Sequence, residues 1–199
     1  MFNKILAFFN NLYRVENEET ENLYEAYFHE DDFKQVEFCP KENLEFLKNE
    51  NIEVNKFTED NSDGNGFPNI YIREERNQKT ILEKQIKLSD LNIIMLNLEL
   101  EKIEKVYTGY SNYKEKCENT ICYKFEDAEI FVSNENDFVK DLFITGFRFY
   151  ENEVIKNKLE EILHRIGKEY DLILNDWNLT EVINLNDRTE IRKYLNEEF

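Results

Sequence analysis

The sequence predicts an α+β protein with a largely antiparallel sheet and helices packed on one face of it, including a long helix near the C-terminus. Three observations predict this. Residues 120–125, 128–133 and 138–145 are successive short runs of aromatic and β-branched residues punctuated by turn formers. Residues 152–166 carry an apolar stripe at helical spacing. Finally, 41% of the 199 residues are hydrophobic, with 16 Phe and 11 Tyr, and 34% are charged, which supplies core material beneath a solvated surface. The size fits a single α+β domain over 1–199, with 1–32 forming an N-terminal helix plus an acidic segment packed on it.

Residues 1–13 place Phe2, Ile5, Leu6, Phe9, Leu12 and Tyr13 at helical spacing, without the apolar run or small-residue cleavage site of an export signal. The expectation is an amphipathic helix docked on the domain. Residues 15–32 follow, in which Leu23, Tyr24, Tyr27 and Phe28 interrupt the acids and point to a short helix or ordered loop with one packed face. Residues 33–38 read as a strand, Pro40 suits the first turn of a helix over 41–49, and residues 52–57 read as another strand. That makes a β-α-β arrangement.

The stretch EDNSDGNG at 59–66 is the clearest loop, because Gly, Asn, Asp and Ser tolerate turn geometry. It aligns poorly with a calcium loop, since Ile70 stands where a bidentate Glu is needed. Residues 69–73 and 80–88 read as paired strands around a polar turn at 75–78. Over 91–103 both periods fit: Ile94, Leu96, Leu98 and Leu100 alternate as in a strand, while Leu91, Ile94, Met95 and Leu98 share a helical face that Ser89 would cap.

From residue 106 the signals are mostly β. Glu126 and Asp127 join 120–125 to 128–133 as a hairpin, and Gly146 marks a bend after 138–145. Gly167 is a natural stop for the helix over 152–166. Residues 170–175 and 182–185 read as strands flanking a turn with Trp177 and Asn178, and Asp187 with Glu190 resembles a capping box for a last helix through Leu195.

The charge narrows function more than any motif does. Acids outnumber bases 43 to 25, a net charge of -18, although the wealth of Asn, Ile, Phe and Tyr is of the kind an AT-rich genome produces, which should also raise Lys. Eight of the acids fall between Val15 and Asp32 with no Lys or Arg among them. Such a surface repels nucleic-acid phosphates and anionic membranes and favours a cationic partner, which it steers electrostatically. Nothing approaches the ~20 apolar residues of a membrane-spanning helix. Three cysteines, Cys39, Cys117 and Cys122, are too few for a disulfide framework and fit a reducing cytoplasm.

Catalytic signatures are sparse. His29 and His164 are the only histidines, and His164 follows Glu160 and Glu161 by four and three positions, the spacing of a helix-surface ion pair. Cys117 and Cys122 lack CxxC spacing, and no GxSxG, GxxxxGK, GxGxxG or HExxH occurs. No metal site, cofactor or catalytic residue is assigned. Binding anchors are better represented: Trp177 in NDWN, and Tyr107, Tyr110 and Tyr113 in VYTGYSNY, where Gly109 marks a turn that would expose the tyrosines.

The stretches KVYTGYSNYKEKCENTICY, DLFITGF and DLILNDWNLTEVINL, on a small acidic scaffold, resemble the immunity proteins encoded beside toxins in bacterial competition loci. The resemblance covers the C-terminal half in general style and carries over no residue roles. It implies a non-enzymatic cytoplasmic protein that binds a basic partner, a cognate toxin domain, and occludes it. In this reading the partner is met by Glu18, Glu19, Glu21, Asp31 and Asp32, with Tyr24, Tyr27, Phe28, Tyr110, Tyr113 and Trp177 as apolar anchors. The alternative expectation is a carboxylate-based hydrolase, with a divalent metal held by the 60–63 loop or near His29.

Overall fold

In a computed structural model of the chain, the described residues are 25–61, 71, 78–109, 113–147 and 150–196. Ten strands occur among them: β1 (Glu25–Phe28), β2 (Val36–Pro40), β3 (Glu101–Ile103), β4 (Lys105–Thr108), β5 (Glu115–Lys116), β6 (Thr120–Phe125), β7 (Ala128–Glu135), β8 (Phe138–Thr145), β9 (Leu172–Asp176) and β10 (Glu181–Ile183). The helices are α1 (Leu44–Asn61), α2 (Leu88–Asn97), α3 (Glu153–Tyr170) and α4 (Arg188–Leu195). Seven strands form an antiparallel sheet in the order β10-β9-β2-β8-β7-β6-β3. A second sheet, β1-β4-β5, joins β1 to β4 in parallel.

Alternation along the strands sorts side chains to the two faces of the large sheet. Ile130 and Val132 of β7, Leu142 and Ile144 of β8, and Leu172 and Leu174 of β9 face one way. There they meet Leu91, Ile94 and Met95 of α2, Leu159, Ile162, Leu163 and Ile166 of α3, and Ile191 and Tyr194 of α4. Each fully buried aliphatic side chain of this layer contributes about 1.5–3 kcal/mol. The opposite face is covered in two pieces. Cys39 and Ile173 pack under Leu47 of α1, whereas Phe131, Phe143 and Cys122 pack under Ala26 and Val106 of the small sheet. The predicted single helical face therefore holds for three helices, and α1 lies on the other side.

The β6-β7-β8 meander, α3 and the β9 and β10 strands appear where the sequence predicts them. Turns with left-handed residues link the meander: Glu126 (φ 53) between β6 and β7, and Asn136 (φ 51) with Asp137 (φ 66) between β7 and β8. Gly146 (φ 70) bends the chain after β8, where a Cβ would stand 2.1 Å from the Asp127 carbonyl oxygen. Asn152 caps α3 by accepting from Val154 N at 2.9 Å. Gly167 does not end that helix, which runs on to a left-handed Asp171. The glycine is needed for a close crossing, since a Cβ there would stand 2.1 Å from Leu185 Cβ. Over 91–103 both periods are used in turn, α2 first and β3 after it, with Lys87 rather than Ser89 at the N-cap.

Other expectations fail in the N-terminal half. Residues 52–57 are not a strand but the continuation of α1, so there is no β-α-β unit; Ile52 is 62% exposed, and the inward positions are Leu47 and Asn51, one helical turn apart. The strand pairing predicted over 80–88 gives way to a short turn at Leu82–Lys84 with a left-handed Gln85 (φ 51). Thr80 and Glu83 close that turn reciprocally: Thr80 N donates to Glu83 Oε2 at 2.6 Å and Glu83 N donates to Thr80 Oγ1 at 3.3 Å. The strand predicted over 33–38 begins only at Val36, after Lys34 has turned left-handed at φ 56. The predicted helix over 1–13 and most of the 59–66 and 69–77 segments lie outside the described residues.

Candidate functional site

The described part of the acidic stretch is β1 and the turn that follows it. Ala26 and Phe28 point inward, and the Phe28 ring meets Phe131 and Phe143 edge-on at 5.0 and 5.2 Å. Tyr27 consequently points outward and is 37% exposed. His29 then caps the turn Glu30–Asp32: Asp31 N donates to His29 Nδ1 at 3.2 Å, and His29 N donates to Asp32 Oδ2 at 3.3 Å. That geometry turns Glu30, Asp31 and Asp32 to solvent, and no Lys or Arg among the described residues pairs with them. His29 thus has a capping role beside Asp31, with their side chains 3.1 Å apart.

Tyr27 is backed by a second tyrosine. The β1/β4 register sets it opposite Tyr107, and the rings stack with centroids 5.5 Å apart. Glu25 accepts from the Tyr27 hydroxyl and from Lys114 Nζ, the latter at 3.0 Å. Those bonds, the tyrosine's first and the lysine's second, hold the Glu25 carboxyl below the ordinary carboxylate range. Gly109 (φ 83) closes the turn after β4, and Tyr113 beyond it is 90% exposed.

Trp177 belongs to another part of the molecule. It follows β9 on the face that carries α1, half-buried against the Cys39, Leu47 and Ile173 cluster, and its indole N–H donates to Glu37 Oε1 at 2.8 Å. Beside it opens a cleft of about 240 Å³ lined by β2, the 78–82 segment and the β8 strand. Lys34 Nζ stands 3.4 Å from both Glu37 and Asp141 there, and Ser133 Oγ donates to Asp141 at 2.6 Å. Burial disfavours the Lys34 charge, but the two carboxylates outweigh it and raise its pKa. The lysine stays protonated at neutral pH and is neither base nor nucleophile.

Of the predicted contacts, Tyr27, Asp31 and Asp32 share one exposed segment, with Tyr113 in the loop beyond the neighbouring strand β4. Phe28 is turned into the core beneath them, and Trp177 belongs to the separate cleft. Glu18, Glu19, Glu21, Tyr24 and Tyr110 lie outside the described residues. Sequence reading missed Lys34, Glu37 and Asp141, which come from the turn before β2, from β2 and from β8; alternation alone would have put Glu37 and Cys39 on one face. Lys114 was also missed, although it follows directly on the tyrosine-rich run.

No family model, curated protein or solved structure matches this chain significantly. The chemistry of the site is therefore read from its own residues. His164 does not pair with the helix acids; its Nδ1 lies 2.9 Å from the Leu185 carbonyl, because the ring leans across to the chain after β10. Glu160 is taken instead by Arg188 at 2.8 Å, and Glu161 by Lys158 at 3.5 Å. Burial raises all three thiols, Cys39, Cys117 and Cys122, so none is an activated thiolate. Among the described residues no three His, Cys, Asp or Glu side chains are grouped to hold a metal. No described helix is long and apolar enough to cross a membrane.

Proposed function

We propose that the protein is an immunity-type binding protein that meets a cationic bacterial toxin domain in the cytoplasm and covers its active site. The observation that carries this reading is the Glu30–Asp32 turn, three exposed acids with no Lys or Arg partner among the described residues, immediately after a strand that presents Tyr27 outward. An aromatic anchor beside uncompensated charge suits a partner surface built to hold anionic substrate, because the charge steers encounter and the ring supplies desolvated contact. The acids at Glu18, Glu19 and Glu21 extend the same negative sequence toward the N-terminus. The resemblance to immunity proteins supports the choice of a toxin over other cationic proteins.

The test is association with the toxin domain encoded by the adjacent reading frame. Replacing Glu18, Glu19, Glu21, Asp31 and Asp32 by Gln or Asn should slow association by about tenfold or more at low ionic strength and flatten its salt dependence. Protection of cells expressing the toxin should fall in parallel. An unchanged rate and salt slope, with binding retained, would remove the acidic stretch from the interface. A toxin that neither binds nor is inhibited would remove the reading altogether.

A further inference from the structure

Lys114 occupies a position built to receive an ammonium group. Its Nζ lies 4.3 Å from the Tyr107 ring centroid and 5.3 Å from that of Tyr27. The same nitrogen is 3.0 Å from Glu25 Oε2 and donates to the Tyr27 hydroxyl at 3.1 Å. Two stacked π faces and a carboxylate converging on one point form the recognition chemistry of an alkylammonium ion.

The receiving groups and the occupant differ in how firmly they are held. Glu25 and Tyr27 are on β1 and Tyr107 is on β4, in a fixed parallel register with Ala26 and Val106 buried behind them. The Glu25 side chain is only 12% exposed. Lys114, by contrast, comes from the short connection between exposed Tyr113 and β5, and its own side chain is 36% exposed. A second cation, Lys105, stands opposite Glu25 in the register and reinforces the lowered Glu25 pKa. The cradle belongs to the sheet, whereas its occupant comes from a loop.

We infer that Glu25, Tyr27 and Tyr107 form a lysine-receiving site for the cationic partner, closed in the free protein by Lys114, which a partner lysine displaces. This rests on the partner-binding reading above and adds to it the side chain recognised. The exchange replaces one ammonium by another, so the site discriminates more than it tightens: an acidic or neutral partner residue cannot restore the hydrogen-bonded ammonium that Lys114 gives Glu25. Lys114 acts as an internal competitor and lowers apparent affinity by the fraction of time it fills the site.

The experiment titrates n-butylammonium, the lysine headgroup, into the full-length protein and follows the ring resonances of Tyr27 and Tyr107 by NMR. Lys114→Met should show saturable shifts at concentrations at least tenfold below those the wild type needs. Glu25→Gln added to Lys114→Met should abolish saturation, and neutral 1-pentanol should give none. Linear shifts of equal size in wild type and Lys114→Met would mean diffuse attraction to an acidic surface and overturn the proposal. Lys114→Gln provides a second opened variant, and unfolding of both would make Lys114 a structural clamp, overturning it equally. Failure of this titration while toxin association stays salt-dependent removes only the lysine site; saturable butylammonium binding without a toxin interaction removes only the partner reading.

Discussion

At the scale of single residues, positions that look ordinary in the sequence carry sharp constraints. Gly167 reads as a helix stop, yet it is a contact position: Leu185 Cβ would lie 2.1 Å from any Cβ placed there. Gly167→Ala gains about 1 kcal/mol of helix propensity, but the overlap should outweigh it and leave a net loss of at least about 1 kcal/mol. A lower urea midpoint at constant slope checks this. Glu42 is informative in another way. Its hydrogen bond from Lys79, with Lys84 adding to it, lowers its pKa to about 2 from an ordinary 4.5. Because the folded value is the depressed one, the stabilisation is complete above pH 4.5 and is lost as pH falls toward 2. The side chain is 44% exposed, so solvent screening limits the effect to about 1 kcal/mol or less. Wild type and Glu42→Gln should therefore differ in urea midpoint at pH 6 and converge near pH 2, the approach occurring below 4.5.

Among the elements, the β7-β8 hairpin lets turn chemistry be tested in isolation. Both loop residues, Asn136 and Asp137, are left-handed, which suits Asn-Gly better than Asn-Asp. Asp137→Gly should raise stability by about 0.5–1 kcal/mol, read from thermal melts, since the strained position loses its Cβ while Leu88 N keeps its bond to the residue 137 carbonyl. The meander and α3 were legible because their periods are unmixed and their ends are marked. The strand expected at 52–57 was not, because Ile52, Val54 and Glu53 imitate alternation while most of that face meets solvent. What docks α1 is Leu47 together with Asn51, whose amide donates to Asn175 at 3.2 Å, and a polar residue at a buried position carries no apolar signal. The turn at 82–84 was legible in principle, since Thr80 and Glu83 have capping-box spacing, but Ile81 and Ile86 drew the reading toward a strand.

For the molecule as a whole, charge is the controlling quantity. A net charge of -18 on 199 residues stores self-repulsion in the folded state, because local pairs such as Glu42 with Lys79 and Lys84, or Glu160 with Arg188, leave the excess untouched. Raising NaCl from about 10 to about 300 mM shortens the screening length from about 30 Å to well under 10 Å and should raise the urea midpoint. A fall would show that the ion pairs outweigh the repulsion. The candidate site was half legible at this scale. Charge and aromatics located Tyr27 and the acids after it, but the Glu25, Tyr27, Tyr107 and Lys114 cluster depends on a parallel pairing between strands far apart in sequence.

The position of β2 sets an order in time. This strand, made early, lies between β8 and β9, which are made late, and pairs Glu37 with Phe143 on one side and Cys39 with Ile173 on the other. On the ribosome it therefore waits with both edges open until β8 has emerged, and with one edge open until β9 follows. The β6-β7-β8 hairpins, joined by two-residue turns, can assemble locally in the meantime and offer β8 as a template. Completion of the sheet is then an insertion, in which β9 closes the second edge of a strand already held by the first.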